Sequence, residues 1–161
     1  TALKPPRTLY FAYGSNLWID QMNRRCPENR YVGTAVLQGW RWIINQMGYA
    51  TIIPFPGDHV YGFIFDISPT DEKSLDKYER VPYNYEKRII SVQPITSSDD
   101  RETATNRAID TLVYIDVLRT SSDVPKTEYI DRMNKALEDA IQKDVPQSYI
   151  EKYIRPFIPP E

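Results

Sequence analysis

The sequence predicts an α+β fold, a small closed or nearly closed β-sheet with helices packed around it. Residues 60–67 read V-Y-G-F-I-F-D-I, a near-continuous apolar run typical of a strand buried on both faces. Residues 9–13 form a second short apolar run that ends at a glycine. The content of 12 tyrosines and 13 prolines favours a loop-rich β protein with aromatic packing over a helical bundle.

The N-terminal half alternates apolar runs with Gly and Pro breaks. Its predicted strands lie at residues 9–13, 32–37, 41–46, 49–53 and 60–67. Turns are predicted at residues 38–39 and 54–58, where Gly and Pro stand between the runs. A short helix after the first strand ends near Arg25, because Pro27 cannot continue it. Gly62 inside the strongest strand indicates a bend or a close backbone approach.

The middle of the chain begins with a clear helix start. Ser68 is the predicted N-cap, Pro69 takes the first helical position and Asp71 stands three residues after the cap. This helix is expected to end before Pro82. Two further strands are predicted at residues 87–94 and 109–117, joined by a polar loop over residues 96–107.

The longest predicted helix begins near Pro125. Its apolar residues follow helical spacing along one stripe: Tyr129, Ile130, Met133, Leu137, Ala140 and Ile141. A second short helix after Pro146 is expected to turn four residues inward: Tyr149, Ile150, Tyr153 and Ile154. Residues 157–160 are expected to run across the surface. No repeat or linker divides the chain, so residues 1–161 are predicted to form a single domain.

Composition excludes several functional classes. The 161 residues carry a net charge of −2 with scattered basic residues, which gives no footprint for nucleic acid or an anionic membrane. No apolar run approaches the roughly 18 residues that a membrane span requires. With Cys26 the single cysteine and His59 the single histidine, no internal disulfide or Cys/His metal cluster is expected. A reducing, cytoplasmic compartment is the expectation.

The turn after the first strand is a candidate anion site. Gly14 is expected to adopt a positive φ, and Ser15 and Asn16 are both good N-caps for a helix starting at Leu17. Such a turn directs backbone N–H groups outward at the positive end of a helix, which suits a carboxylate or a phosphate. The alternative is a plain strand-to-helix connection that binds nothing.

Glu79 is the residue that fits its predicted helix least well. It shares a helix face with Leu75, and it lies at the helix end where an anion is electrostatically disfavoured. Desolvation there is expected to raise the pKa of Glu79, the usual route to a carboxyl group that exchanges protons near neutral pH. The alternative is an ordinary Glu paired with Arg80, Lys87 or Arg88.

Three other residues are weaker candidates. Ser15 does not lie in a G-x-S-x-G nucleophile elbow and has no assured base. His59 is most simply a solvated residue of a turn. Cys26 stands directly before a proline and is expected to be a small packed residue rather than a reactive thiol.

Four motifs along nearly the whole chain carry a resemblance to a known family. They read Y-F-A-Y-G-S-N-L at residues 10–17, Y-A-T-I-I-P-F-P-G-D-H-V-Y-G-F-I-F at 49–65, S-L-D-K-Y-E at 74–79 and V-P-Q-S-Y-I-E-K-Y at 145–153. In order and spacing they resemble the γ-glutamyl cyclotransferases and their relatives. The C-terminal pattern is similar to the fungal branch.

The resemblance implies a small mixed β-barrel flanked by helices and an enzyme that needs neither metal nor cofactor. It implies cleavage of a small-molecule γ-glutamyl substrate by internal cyclisation, with release of 5-oxoproline and a free amine. Glu79 corresponds to the catalytic carboxylate, and the residues that correspond to substrate-binding positions are Tyr13, Gly14, Ser15, Asn16 and Tyr85. Tyr83 is the alternative to Tyr85.

One position departs from the family pattern, since Arg80 stands where a Gly commonly follows the catalytic Glu. Arg80 is expected either to pair with Glu79 and lower its pKa, or to contact a substrate carboxylate. The substrate stays open among γ-glutamyl dipeptides, glutathione, γ-glutamyl amines and glutathione conjugates of secondary metabolism. The oligomeric state, monomer or homodimer, also stays open.

Two other functional classes compete with the cyclotransferase. A non-catalytic module of the same fold would use the pocket to bind a small anionic ligand. A hydrolase with Ser15 or Cys26 as nucleophile would release glutamate instead of 5-oxoproline.

Overall fold

The computed structural model describes residues 6–95 and 107–161. Within them the chain forms five strands: β1 (Thr8–Ala12), β2 (Arg30–Ile44), β3 (Ala50–Ile67), β4 (Glu86–Pro94) and β5 (Ile109–Ile115). Its α-helices are α1 (Ile19–Arg25), α2 (Pro69–Tyr78), α3 (Thr127–Gln142) and α4 (Gln147–Tyr149), the last continued by a π-helical turn, Ile150–Ile154. The predicted α+β class is confirmed.

The five strands close into a mixed barrel in the order β1-β3-β2-β4-β5. β5 returns to β1 in parallel, and the other strand pairs are antiparallel. Tyr10 of β1 therefore lies opposite Phe65 of β3 on one side and Leu112 of β5 on the other. Closure pairs β1 on both sides, so that the strand preceding the candidate anion site is fixed by two neighbours.

β1 approaches β3 most closely at Gly62. A Cβ atom at this position would overlap the carbonyl oxygen of Ala12 and would lie 2.8 Å from the Phe11 ring. Phe11 and Phe63 are fully buried next to this contact. The predicted close backbone approach at Gly62 is thus confirmed, because only glycine leaves room for it.

The predicted turns at residues 38–39 and 54–58 are wrong. β2 and β3 each run unbroken through these stretches and stay paired. The pairing steps from Gln38–His59 to Trp40–Pro54, so that residues 55–58 bulge out opposite Gly39. Gly39 has a φ of 85° and absorbs the distortion. The same Gly and Pro residues that signal a chain reversal also permit a bulge inside a long strand.

Both ends of α2 are tightly specified. The Ser68 hydroxyl accepts a hydrogen bond from the Asp71 N–H at 3.1 Å, and the Asp71 carboxylate accepts one from the Ser68 N–H at 3.3 Å, as predicted. At the other end, the Arg80 N–H donates to the Lys77 carbonyl at 3.2 Å and the Val81 N–H to the Asp76 carbonyl at 3.0 Å. These two bonds form a Schellman motif, in which Arg80 adopts a φ of 50°.

The C-terminal helices cover the barrel. The inward face of α3 consists of Tyr129, Met133, Ala136, Leu137 and Ala140. Ile141, predicted on this face, is instead 40% exposed in the last turn of the helix. The four residues predicted to face inward after Pro146 are all buried.

The segment after α4 packs back on the barrel, where Ile158 is fully buried and the Phe157 ring lies 5.9 Å from that of Trp42. Most of the predicted polar loop, residues 96–106, lies outside the described residues. Among the described helices, none is long and apolar enough to cross a membrane.

Replacing Gly62 by Ala is expected to lower the free energy of unfolding by about 1–3 kcal/mol, since the added methyl group collides with the Ala12 carbonyl and the Phe11 ring. Gly33→Ala in the same barrel is the matched control, because a Cβ there meets no atom within 4 Å. Thermal unfolding of both variants measures the difference. Equal melting temperatures for the two variants would contradict the proposed packing.

Candidate active site

A cavity of about 430 Å³ opens beside the C-terminal end of β1. Its wall is built by β1, the turn that follows, the end of α2 and one face of α3. All six residues singled out from the sequence line it, although they come from distant parts of the chain: Tyr13, Gly14, Ser15, Asn16, Glu79 and Tyr85.

The turn after β1 differs in detail from the prediction. Gly14 has a φ of −116°, so the expected positive φ is wrong. Glycine is required there by space, since a Cβ would lie 2.9 Å from the Tyr129 hydroxyl and 3.2 Å from the Ala50 Cβ. Ser15–Leu17 form a 3-10 turn, and α1 begins only at Ile19.

The predicted capping of α1 by Ser15 or Asn16 is also wrong. The Ile19 N–H, at the start of α1, donates to the Asp139 carboxylate of α3 at 2.8 Å. The N-terminal N–H of α1 is therefore bound by a residue 120 positions away in the chain, where a neighbouring side chain was expected to cap it.

The side chains of Ser15 and Asn16 belong to a buried hydrogen-bond network. The Gln21 amide donates to the Ser15 hydroxyl at 2.9 Å and to the Asn16 amide oxygen at 3.0 Å. The Asn16 amide in turn donates to the Tyr10 hydroxyl at 2.9 Å. These buried hydrogen bonds hold the side chains of the turn in place.

The backbone of the same turn keeps donors free. The Ser15 N–H donates to the Tyr129 hydroxyl at 3.2 Å. Among the described residues, the N–H groups of Gly14 and Asn16 donate to no acceptor. Unsatisfied N–H groups lining a cavity are suited to an anion such as a carboxylate.

Glu79 is the C-cap residue of α2, and its N–H donates to the Leu75 carbonyl at 2.8 Å. Leu75 is fully buried, and Glu79 is half-buried on the cavity wall. Burial raises the pKa of Glu79 from 4.5 to about 7, against the opposing charges of Arg25 and Arg132. Within the described residues its carboxylate forms no hydrogen bond and no ion pair.

The alternative of an ion-paired Glu79 fails for each proposed partner. The Lys87 ammonium binds Glu72 and Asp76, at 2.7 and 3.0 Å. The Arg88 guanidinium binds Glu86 at 2.8 Å. Arg80 lines the cavity but forms no ion pair with Glu79, and the pKa of Glu79 responds to Arg25 and Arg132 instead.

Several tyrosines share the cavity wall with Glu79. Tyr85 is buried in the wall and donates to the Ala50 carbonyl at 2.7 Å, whereas Tyr83 is 80% exposed. Burial raises the pKa of Tyr10 and of Tyr129 above the ordinary tyrosine value. Both hydroxyls therefore stay protonated and accept a hydrogen bond from the turn, Tyr10 from Asn16 and Tyr129 from Ser15.

Several residues of the site were not found from the sequence. Arg25 donates to the Asn16 amide oxygen at 3.3 Å, and its guanidinium lies 4.2 Å from the Tyr78 ring centre. Arg132 donates to the Gln21 amide oxygen at 3.2 Å. The available signal was spacing, because Gln21 and Arg25 lie four apart on α1, and Tyr129 and Arg132 three apart on α3.

The two candidate nucleophiles are poorly placed. Cys26 is fully buried, donates to the Asp71 carbonyl and does not line the cavity. Burial raises the pKa of its thiol to about 12, so no thiolate is available. Ser15 receives its side-chain hydrogen bond from the Gln21 amide N–H, a donor that cannot accept a proton. His59 lies among Tyr61, Tyr149 and Tyr153, away from the cavity.

Comparison with known proteins gives one consistent family. Residues 10–130 match the family described as "Gamma-glutamyl cyclotransferase, AIG2-like". Curated gamma-glutamylcyclotransferases of Bos taurus and Homo sapiens are 35% and 34% identical over 83 residues. This aligned segment spans 45% of the chain and only 44% of each relative. A solved structure described as "Gamma-glutamyl cyclotransferase" is 25% identical and superposes with a TM-score of 0.77, over 97% of this chain and 90% of the other.

Replacing Arg25 by Met is expected to raise the pKa of Glu79 above about 7, because it removes a positive charge that favours the carboxylate. The Glu79 carboxyl carbon, followed by NMR across the pH range, reports the midpoint. Arg24→Met is the control, since the Arg24 side chain is 62% exposed and pairs with Asp20. A midpoint that is the same in the Arg25 variant and in the wild type would rule out this charge balance.

Proposed function

Since this chain belongs to the gamma-glutamyl cyclotransferase, AIG2-like family, we propose that it cleaves γ-glutamyl amides by intramolecular aminolysis, releasing 5-oxoproline and a free amine. The observation that carries the proposal is the Glu79 carboxylate, which has a pKa of about 7, is unpaired among the described residues and shares the cavity with the turn at Gly14–Asn16. The substrate classes that fit are γ-glutamyl amino acids, glutathione and glutathione conjugates.

The substrate's glutamyl group is anchored at both of its charged ends. Its α-carboxylate accepts hydrogen bonds from the N–H groups of Gly14 and Asn16, and from Ser15 once that N–H leaves the Tyr129 hydroxyl. Its α-ammonium lies beside Glu79. The carboxylate and the ammonium together hold the glutamyl chain in a bent conformer, which brings the amine close to the γ-carbonyl carbon.

Glu79 carries the proton through the reaction. Its carboxylate takes one proton from the α-ammonium, and the resulting amine attacks the γ-carbonyl carbon to form the five-membered ring. Glu79 then returns that proton to the departing nitrogen as the original amide bond breaks. The ring nitrogen loses its second proton in the same collapse, and the free amine takes it up and leaves as an ammonium. A single group serves as base and then as acid only when its pKa lies near the working pH, the condition that burial of Glu79 meets.

The negative charge that develops on the carbonyl oxygen needs hydrogen-bond donors. The protonated hydroxyls of Tyr10 and Tyr129 line the cavity and supply O–H groups from buried side chains. The nucleophile is already part of the substrate, so no activated Ser or Cys is needed in this mechanism.

The alternative of a non-catalytic module for a small anionic ligand is less well supported. An anion site would not place an unpaired carboxylate in its wall, since the charge of Glu79 repels the ligand. A hydrolase that uses Ser15 or Cys26 is disfavoured by the amide donor on Ser15 and by the burial of Cys26.

Glu79→Gln is expected to reduce 5-oxoproline release from γ-glutamyl-alanine by at least about 100-fold, because the amide can neither take nor return a proton. The matched control is Glu86→Gln, which removes a carboxylate that pairs with Arg88 on β4 outside the cavity. Chromatography of the products separates 5-oxoproline from glutamate, and thermal unfolding verifies that both variants fold.

The two other classes give different results in the same assay. Release of glutamate in place of 5-oxoproline contradicts cyclisation and supports the hydrolase. Binding of γ-glutamyl-alanine with no product from the wild type supports the non-catalytic module.

A further inference from the structure

The cavity carries more positive than negative charge. Of the described residues, four basic side chains line it, Arg25, Arg80, Lys126 and Arg132, together with one acidic side chain, Glu79. Arg132 is neutralised by the Glu128 carboxylate just outside, with a 2.8 Å contact. Within the described part of the chain, a surplus of two positive charges remains when both carboxylates are ionised.

The surplus positive charge of the cavity is carried by Arg80 and Lys126. Arg25 already interacts with Asn16, the Tyr78 ring and the charge of Glu79. Arg80 and Lys126 are both exposed, and neither forms an ion pair with a described residue. They are thus the cationic groups that an incoming ligand reaches without breaking an existing bridge.

Both cations lie next to the segment of Met47–Tyr49, and their exposure places them on the solvent side of the cavity, here called its mouth. The Lys126 side chain packs on Gly48, where an added Cβ would lie 2.7 Å from its Cγ, and the Lys126 N–H donates to the Gly48 carbonyl at 3.2 Å. The charge of Arg80 acts on the neighbouring Tyr49 hydroxyl and opposes the rise of its pKa. Arg80 and Lys126 therefore approach the same part of the cavity from α2 and from α3.

Arg80 stands at a position whose backbone conformation favours glycine. Its φ of 50° is a left-handed conformation, in which a side chain is disfavoured and glycine is preferred at this place in a Schellman motif. A long cation thus occupies a position that the backbone alone would give to glycine. Strained non-glycine residues of this kind often mark functional sites.

We propose that Arg80 and Lys126 bind a carboxylate on the leaving half of the substrate, so that γ-glutamyl amino acids and peptides are preferred over γ-glutamyl amines. This inference rests on the proposed function. The glutamyl group itself has no net charge, because its carboxylate and its ammonium balance. An anion on the leaving half therefore matches the two remaining cations, and it lies at the mouth while the glutamyl group occupies the interior.

The test compares γ-glutamyl-alanine with γ-glutamyl-alaninamide, two substrates of nearly equal size that differ in the charge of the leaving half. Release of 5-oxoproline gives kcat/KM for each. The wild type is expected to prefer the acid by about tenfold, and Arg80→Gln and Lys126→Gln are expected to lower that preference about threefold each. Because the carboxylate lies away from the reacting atoms, the loss is expected in KM while kcat is retained.

Three further variants separate charge from other effects. Arg80→Lys keeps a cation and is expected to keep most of the preference, whereas Arg80→Gly removes the cation together with the backbone strain. Lys73→Gln removes an exposed cation of α2 that does not line the cavity, and it should leave the preference unchanged.

The outcomes distinguish failure of the carboxylate site from failure of the proposed cyclotransferase activity. Equal kcat/KM for the acid and the amide, with normal 5-oxoproline release, overturns the carboxylate site and leaves the proposed function standing. A preference for the acid over the amide that survives in both Arg80→Gln and Lys126→Gln also overturns the carboxylate site. No 5-oxoproline from either substrate overturns the proposed function, and this inference with it.

Discussion

The double pairing of β1 is the constraint on which the rest of the structure depends. β1 pairs antiparallel with β3 and parallel with β5, and this contact closes the barrel. Closure requires the backbone of β1 to come within reach of Gly62, where no side chain fits. The end of the strand is thereby fixed, and with it the turn at Gly14–Asn16. The candidate site is thus placed by the barrel, while helices α1, α2 and α3 supply the charged and polar groups that face it.

Glu79 is held in the site at a cost to stability. Raising its pKa from 4.5 to about 7 corresponds to a penalty on the ionised form of the order of 3 kcal/mol. Because the raised pKa favours the protonated form, protonation of Glu79 stabilises the folded state. This stabilisation is fully present below about pH 4.5 and is lost as the pH rises through about 7. Arg25 and Arg132 limit this penalty without forming an ion pair with Glu79. With its pKa held near neutral pH, the carboxyl group of Glu79 can both take up and release a proton.

The sequence was most informative where structure is decided locally. The capping box at Ser68 and the mismatch of Glu79 with its helix face follow from neighbours within a few residues, and both were recognisable. The bulge of residues 55–58 opposite Gly39 carries the sequence signals of turns, and only the long-range pairing of β2 with β3 shows that the strands continue. The contact of Arg132 with Gln21 joins residues 111 apart, and no local pattern indicates it. The apolar strand followed by Gly, Ser and Asn predicts the turn at Gly14–Asn16, yet the reason for its glycine, the nearby Tyr129 hydroxyl and Ala50, is visible only in three dimensions.

The most direct test of the account is the pH dependence of kcat/KM for γ-glutamyl-alanine between pH 5 and pH 9. If Glu79 accepts the proton, kcat/KM must depend on its ionised form in the free enzyme. We therefore expect kcat/KM to fall about tenfold for each pH unit below an apparent pKa near 7. A profile that stays flat down to pH 5 would contradict the account, because a carboxylate with an ordinary pKa, or another group, would then carry the reaction.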